Sequence, residues 1–196
     1  MSFLVLDIEM SGPEPGWNEI IQIGAEFFDD KWNSLGTYLQ NVYPENEEAF
    51  TSKAEEIHGL SLDDLEEAPM MYDVLPEFEK WIKKLNSNKP NLSNVIICGQ
   101  SVIFDINFLR FAYNKEKMRW PYSNKMIDLH TVSYLFFKIL EKNGRNVPRS
   151  LSLGTVSTYF GFEREEETHN ALEDAQLTAK CFKEFFKIID QIKLVE

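Results

Sequence analysis

Two carboxylates stand one residue apart in Asp7-Ile8-Glu9, directly after the apolar run Phe3-Leu4-Val5-Leu6. The run predicts a strand buried on both faces, and alternate residues of a strand point to the same side of the sheet. We therefore expect Asp7 and Glu9 to project together while Ile8 faces the core. Neighbouring carboxylates repel one another unless a cation neutralises them, and Mg²⁺ and Mn²⁺ take oxygen ligands of this kind. The pair predicts a metal site, although a D-x-E at a strand end also occurs as two solvated side chains.

A third carboxylate, Asp105, stands in the otherwise apolar stretch Phe104-Asp105-Ile106-Asn107-Phe108-Leu109. It begins a predicted helix, just after a strand that we expect to run parallel to the first. Parallel strands end at the same edge of a sheet, so Asp105 should lie close to Asp7 and Glu9. The alternative is a helix-start aspartate that complements the helix dipole.

The last polar cluster is His169-Asn170-Ala171-Leu172-Glu173-Asp174. Asp174 falls one turn into the final predicted helix. If His169 were helical as well, the two side chains would point about 140° apart at 3.6 residues per turn. We therefore expect His169 to lie in the loop before the helix, where it can reach toward the ligands. A histidine near a helix start with no catalytic task is the alternative.

The segments that must position these residues alternate in type along the chain. Strands are predicted at Phe3–Glu9, Glu19–Phe28, Trp32–Tyr43, Asn94–Cys98 and Met126–Asp128, the first three joined by short links that imply antiparallel pairing. Apolar residues at helical spacing predict helices from Met71 to Leu85 and from Ala171 to Ile189. Further helices are predicted from Phe104 to Tyr113 and from after Asp128 to about Leu140, with Ser152 capping a short helix that ends at Gly161. Three strands followed by alternating helix and strand predict a single α/β domain over 1–196, with a mixed five-stranded sheet flanked by helices.

The length and composition predict one globular domain and argue against a membrane-spanning or secreted protein. The chain has 196 residues, of which 43% are hydrophobic, enough for one sizeable core. No apolar run approaches the ~20 residues that span a bilayer, and the N-terminus lacks the basic segment of a signal peptide. The two cysteines, Cys98 and Cys181, lie far apart among apolar neighbours and predict buried free thiols. We expect a cytoplasmic protein with no membrane association.

The net charge of −12 is unevenly distributed. Residues 1–79 hold 2 basic and 19 acidic side chains, whereas the segment from Arg110 to Arg149 holds 9 basic and 3 acidic ones. The basic segment is either an ordinary solvated surface or a face that follows a phosphate backbone. Metal ions bound by the acidic cluster would attract phosphate to the site, so the overall charge does not exclude a nucleic-acid substrate.

Taken together, D-x-E, F-D-x-x-F-L and H-x-x-x-x-D resemble, in order and separation, the motifs of the DEDDh (DnaQ-like) 3′-5′ exonuclease superfamily. That group includes the proofreading ε subunit of bacterial DNA polymerase III, ribonuclease T and oligoribonuclease. Glu56-Ile57-His58-Gly59-Leu60 followed by Ala68-Pro69 is similar to a stretch of the ε branch, whereas Asp7-Ile8-Glu9-Met10-Ser11-Gly12 is closer to oligoribonuclease. The resemblance implies a ribonuclease-H-like fold.

The resemblance also implies roles for individual residues. Asp7, Glu9, Asp105 and Asp174 would hold two divalent metal ions, Mg²⁺ or Mn²⁺, and His169 would be the general base. The predicted substrate-binding residues are Met10, Ser11, His58 and Phe104. Met10 and Ser11 stand where proofreading members have two threonines. The activity implied is release of nucleoside 5′-monophosphates from the 3′ end of single-stranded nucleic acid.

Several alternatives stay open at this point. The substrate is single-stranded DNA, single-stranded RNA or very short oligonucleotides, and the role is proofreading, repair or RNA processing. The partner besides nucleic acid is a polymerase or a second copy of the chain. Two rival functions are a nucleic-acid-binding adaptor without catalysis and an acidic interaction module whose carboxylates are surface residues.

Overall fold

A computed structural model describes residues 1–87, 91–164, 170–189 and 191. Its centre is a five-stranded sheet with the order β3-β2-β1-β4-β5. The strands are β1 (Ser2–Met10), β2 (Ile20–Phe28), β3 (Ser34–Asn41), β4 (Val95–Gly99) and β5 (Met126–Asp128). β1 to β3 pair antiparallel, whereas β4 and β5 run parallel to β1. The predicted mixed sheet is confirmed, as is the parallel direction of β4.

The turn between β2 and β3 accounts for the later start of β3. The carboxylate of Asp29 accepts hydrogen bonds from the backbone N–H groups of Lys31 and Asn33, at 2.8 and 2.9 Å. Trp32 adopts a positive φ of 61°, which excludes it from an extended strand. Its ring packs instead on Phe3 and Phe182. The prediction that β3 begins at Trp32 was therefore wrong by two residues.

Helices cover both faces of the sheet. They are α1 (Ser52–His58), α2 (Leu62–Leu65), α3 (Met71–Leu85), α4 (Ile103–Lys115), α5 (Leu129–Lys142), α6 (Leu153–Tyr159) and α7 (Ala171–Ile189). The hydroxyl of Ser152 accepts a hydrogen bond from the backbone N–H of Thr155, so the predicted cap of α6 is confirmed. Gly161 follows that helix with a φ of 79°.

The core lies in two layers, one on each side of the sheet. α3 and α4 pack on one face against Leu4, Leu6 and Ile8 of β1. α5, α6 and α7 pack on the other face, where Val5 is buried. Because successive strand residues alternate between faces, Asp7 and Glu9 continue the Val5 side and point toward α7. The two-residue period of β1 thus decides which helix the carboxylates meet.

Two smaller predictions concern the cysteines and the membrane. Cys98 and Cys181 are both buried and unbridged, as expected. Among the residues described, none of the helices combines the length and apolar character required to cross a bilayer.

Candidate metal centre and nucleotide cleft

Three of the four predicted metal ligands meet at one edge of the sheet. Asp7, Glu9 and Asp174 each present a carboxylate oxygen, and these three oxygens lie within 4.8 Å of one another. Asp7 and Glu9 come from the end of β1, and Asp174 from the first turn of α7. Glu9 and Asp174 are 8% and 3% exposed, so the cluster is largely withdrawn from water. Residues more than 160 positions apart in sequence are brought together at the end of the sheet.

The position of α7 depends on a close approach to β2. Gly24, which pairs with Asp7 in the sheet register, has the backbone of Ala171 and Leu172 directly above it. A Cβ at Gly24 would overlap those backbone atoms. Glycine therefore allows the start of α7 to lie directly on the sheet, within one turn of Asp174.

Two side chains cap the start of α7. The buried side chain of Gln22 accepts a hydrogen bond from the backbone N–H of Ala171 at 2.9 Å. Its amide nitrogen donates to Asn41 on β3 at 2.7 Å, which fixes the orientation of the amide. Asn170 accepts from the backbone N–H groups of Leu172 and Glu173, at 3.1 and 3.3 Å. These bonds satisfy N–H groups that a helix leaves unpaired at its first turn.

The fourth carboxylate, Asp105, reaches the site from the start of α4. It is 5% exposed, and the backbone N–H groups of Ile8 and of Asp105 itself lower its pKa. The preceding connection is held by Asp128, whose carboxylate accepts from the backbone N–H of Val102 at 3.0 Å and from that of Thr131 at 3.2 Å. Asp105 lies close enough to Asp7 to raise the pKa of Asp7. It is not one of the three carboxylates whose oxygens lie within 4.8 Å of one another.

The pKa values of Asp7 and Asp105 are raised, because both carboxyl groups are withdrawn from water and lie near other acids. Burial raises the pKa of Asp7 well above its usual value, and the negative charges of Asp105, Glu9 and Asp174 raise it further. Burial also raises the pKa of Asp105, with smaller contributions from Glu9 and Asp128. Carboxylates that resist ionisation in each other's presence are neutralised either by protons or by a cation.

One cation of the chain already lies at the cluster. Arg164 donates from Nε to one oxygen of Asp174 at 2.7 Å and from Nη2 to the other at 2.8 Å. The same guanidinium lowers the pKa of Asp7. The sequence analysis did not single out Arg164.

The donor set fits a hard divalent cation. Among the described residues, the donors that converge here are carboxylate oxygens. Mg²⁺ and Mn²⁺ favour oxygen ligands of this kind, whereas zinc favours nitrogen and sulfur donors. The oxygens are close enough to bind one ion jointly. The chain is therefore suited to binding a divalent metal ion at Asp7, Glu9 and Asp174.

A cleft of about 320 Å³ opens beside the cluster and shares Glu9 with it. Two of the predicted substrate-binding residues, Met10 and His58, lie on its wall. His58 is buried, and its Nδ1 accepts a hydrogen bond from the backbone N–H of Leu60 at 3.0 Å. The cleft is largely apolar, and its lining consists of Glu9, Met10, Gly12, Pro13, Thr51, Lys53, Ala54, Ile57 and His58.

The other two predicted substrate-binding residues occupy different surroundings. Ser11 is fully buried, and its hydroxyl accepts from the backbone N–H of Glu19 at 2.9 Å. Its carbonyl oxygen accepts from the backbone N–H and the hydroxyl of Thr51, the N-cap of α1. Ser11 therefore holds Thr51, a residue that lines the cleft, through its hydrogen bonds. Phe104 is 64% exposed beside Asp105 and is accessible to a ligand.

The predicted general base, His169, lies outside the described residues. Its role stays a prediction that rests on the sequence.

Three residues that organise the site were missed by the sequence analysis. Gly24 interrupts an apolar strand, and a glycine inside a strand signals a close backbone approach. Gln22 is a polar residue in the same strand, a signal of a buried hydrogen-bonding role. Arg164 is one charge in the run Glu163-Arg164-Glu165-Glu166-Glu167, and nothing in that pattern distinguishes it.

Comparisons with known proteins agree with this geometry. The RNase_T exonuclease family model matches residues 4–182. The chain is 28% identical over its whole length to a PolC-type DNA polymerase III of Thermotoga petrophila, and it spans 12% of that polymerase. It is 26% identical to the 3′-5′ DNA exonuclease Cap18 of Escherichia coli, with 98% of this chain and 95% of the relative covered.

Solved structures share the fold at lower identity. The nuclease domain of 3′hExo, a DEDDh family member bound to rAMP, superposes with a TM-score of 0.76 at 18% identity, covering 100% of this chain and 96% of that one. Exonuclease I of E. coli, in complex with a dT13 oligonucleotide, gives a TM-score of 0.80 at 19% identity, covering 97% of this chain and 43% of that one. The predicted ribonuclease-H-like fold is confirmed. The chain belongs to the RNase_T exonuclease family, the group of metal-dependent DEDDh, DnaQ-like 3′-5′ exonucleases.

Proposed function

We propose that this chain hydrolyses single-stranded nucleic acid from its 3′ end and releases nucleoside 5′-monophosphates. The observation that carries the proposal is the convergence of Asp7, Glu9 and Asp174 beside an open cleft of nucleotide size. Family membership supports the direction of cleavage. The acidic interaction module is disfavoured because its carboxylates would be solvated, whereas Glu9 and Asp174 are buried.

In the proposed mechanism, Asp7, Glu9 and Asp174 would hold the divalent ions, and Asp105 would complete the set from α4. Bound Mg²⁺ or Mn²⁺ would supply positive charge to the scissile phosphate and would lower the pKa of a bound water. His169 would accept the proton of the attacking water as general base. The carboxylates themselves cannot stabilise a phosphate, so their part is to bind and orient the cations.

The cleft beside Glu9 is proposed to hold the terminal nucleotide. Its wall is apolar at Met10, Ala54 and Ile57, which suits the face of a base. Lys53 lies on the same wall, and its ammonium group can contact a phosphate. Phe104, exposed next to Asp105 in the sequence, is a second surface on which a base can stack.

The basic segment from Arg110 to Arg149 is proposed only in part as a phosphate-binding face. Lys115 forms ion pairs with Glu19 and Glu45, Lys138 pairs with Glu141, and Arg110 lies over the ring of Trp120. These side chains are occupied by other groups. Arg145 and Arg149 line a cavity of about 540 Å³ next to α5 and are the better candidates to contact the upstream strand.

Proofreading for a DNA polymerase is a second role to test, since the chain matches part of PolC-type polymerases and 93% of it matches the ε subunit of Treponema pallidum DNA polymerase III. A proofreading enzyme should degrade a primer with a mismatched 3′ end faster than the same primer fully paired. Equal rates on both primers would oppose the proofreading role while leaving the exonuclease activity intact.

The substrate class can be resolved with one panel. Single-stranded DNA, single-stranded RNA, duplex DNA and dinucleotides, each 5′-labelled, would be incubated with Mg²⁺ or Mn²⁺. The proposal expects digestion of at least one single strand and slower digestion of the duplex. Binding without cleavage of every substrate would favour the adaptor function instead.

A further inference from the structure

The carboxylate cluster is bound by a cation of the protein itself, the guanidinium of Arg164. Arg164 uses two nitrogen atoms of its guanidinium, Nε and Nη2, to bind both oxygens of Asp174, at 2.7 and 2.8 Å. This two-pronged arrangement is the strongest that an arginine and a carboxylate form. It engages a residue whose carboxylate belongs to the predicted metal cluster.

Burial distinguishes this pair from an ordinary surface ion pair. The side chain of Asp174 is 4% exposed and that of Arg164 is 23% exposed. A buried carboxylate without a partner is strongly unfavourable, so the guanidinium stabilises the cluster. Surface pairs such as Lys187 with Glu184 and Lys80 with Glu77 join exposed side chains, where solvent weakens the attraction.

The positive charge acts on more than one member of the cluster. Arg164 binds the carboxylate of Asp174, and one oxygen of that carboxylate lies within 4.8 Å of oxygens of Asp7 and Glu9. The guanidinium therefore neutralises part of the same charge that a divalent ion would neutralise. It does so from the connection after α6, outside any helix or strand, so its side chain can withdraw without breaking a helical hydrogen bond.

The guanidinium and a divalent ion compete for this position. An ion held jointly by Asp7, Glu9 and Asp174 needs an oxygen of Asp174, and Arg164 engages both. A dication placed among these oxygens would also repel a guanidinium a few ångströms away. Each cation should therefore lower the affinity of the site for the other.

We propose that Arg164 is the internal counterion of the metal-free site, which binds Asp174 until a divalent cation displaces it. The inference rests on the proposed metal dependence of the enzyme. It assigns to Arg164 two effects of opposite sign: the arginine stabilises the metal-free chain and weakens the binding of the metal. A residue that merely supports the fold would have the first effect alone.

The test is a calorimetric titration of the metal-free protein with Mn²⁺, using wild type, Arg164→Gln, Arg164→Lys and Arg119→Gln. Arg119 is an exposed arginine on the α4–β5 connection and serves as the matched control. If the paired form makes up about nine-tenths of the metal-free population, its removal tightens Mn²⁺ binding about tenfold. We expect that gain for Arg164→Gln, a smaller one for Arg164→Lys, which keeps the charge but cannot bind both oxygens in the same way, and none for Arg119→Gln.

Melting temperatures give a second readout that does not depend on catalysis. Without metal, Arg164→Gln should melt below wild type, because the buried carboxylate of Asp174 loses the charge of the guanidinium. With saturating Mn²⁺ the two proteins should melt at similar temperatures, since the arginine no longer contributes. Equal or weaker Mn²⁺ binding by Arg164→Gln would overturn the inference, even if the wild type is a metal-dependent nuclease. Failure of the wild type to bind Mn²⁺ would overturn both this inference and the proposed function.

Discussion

Gly24 of β2 lies opposite Asp7 of β1 and directly beneath the backbone of Ala171, the first residue of α7. The same glycine thus pairs with one metal ligand and permits the close approach of the helix that carries another. The distance between Asp7 and Asp174 depends on the absence of a side chain at this point.

Gly24→Ala should therefore impair both stability and activity. The added Cβ would overlap backbone atoms of Ala171 and Leu172, which cannot move aside as a flexible side chain can. Displacement of α7 by even ~1 Å can reduce catalysis about 10²-fold. The rate on a labelled oligonucleotide and the melting temperature would be measured together.

Gly154→Ala is the matched control for that substitution. Gly154 lies in α6, and a Cβ there would meet no atom within 4 Å. Alanine is favoured over glycine in a helix by roughly 0.5–1 kcal/mol, so this variant should be slightly more stable and fully active. If Gly24→Ala behaves like Gly154→Ala, the proposed role of the close approach is wrong.

The pKa of Asp7 leads to a prediction about metal-free stability. Its folded-state pKa lies well above the usual 3.8, so between those two values the folded chain binds more protons than the unfolded chain. The contribution of Asp7 to stability is therefore fully present below 3.8 and is lost as the pH rises through the folded pKa. Asp7→Asn, which carries no charge, should raise the melting temperature of the metal-free protein, and the gain over wild type should grow as the pH is raised from 3.8 through the folded-state pKa of Asp7.

The same variant should lose function. Asp7→Asn removes a metal ligand, so Mn²⁺ should no longer raise its melting temperature and its activity should be abolished. Asp30→Asn, at an exposed position on the β2–β3 turn, serves as the control and should show neither effect. A melting difference between Asp7→Asn and wild type that is independent of pH would contradict the electrostatic description of the site.

The cleft can be probed with two exposed isoleucines. Ile57, 45% exposed, lines the cleft, whereas Ile139, 58% exposed, lies on α5 outside its lining. Ile57→Ala should raise KM several-fold with little change in kcat, because it removes apolar contact with the terminal base. Ile139→Ala should leave both constants unchanged. Steady-state kinetics on a short oligonucleotide would decide, and equal KM values for the two variants would place the base elsewhere.

The predicted general base can be separated from the metal ligands by comparing two variants. His169→Ala should reduce the rate roughly 10²–10⁴-fold while leaving Mn²⁺ binding nearly intact, because the histidine is a base rather than a ligand in this mechanism. Asp174→Asn should lose both. The measurements are a single-turnover rate across pH and a Mn²⁺ titration of each protein. Full activity of His169→Ala at every pH would assign the activation of water to another group.

The sequence predicted the fold and the members of the carboxylate cluster because those features depend on local patterns. The two-residue period of β1 is enough to place Asp7 and Glu9 on one face, and the crossover to β4 is enough to bring Asp105 to their edge. The contacts that support the cluster could not be predicted in this way, because they join residues that are far apart in the sequence. Gln22 and Ala171 are hydrogen-bonded across 149 positions, a pairing that only the folded chain specifies. The pairing of Arg164 with Asp174 likewise depends on the conformation of the connection after α6, which no periodicity encodes.

The central claim is best tested by following the digestion of a 5′-labelled single-stranded oligonucleotide with and without Mn²⁺. The account predicts a ladder that shortens stepwise from the 3′ end, release of nucleoside 5′-monophosphates, and no products when the metal is chelated or when Asp174 is replaced by Asn. Internal fragments that appear while the 3′ end is intact, or undiminished digestion after chelation, would contradict it.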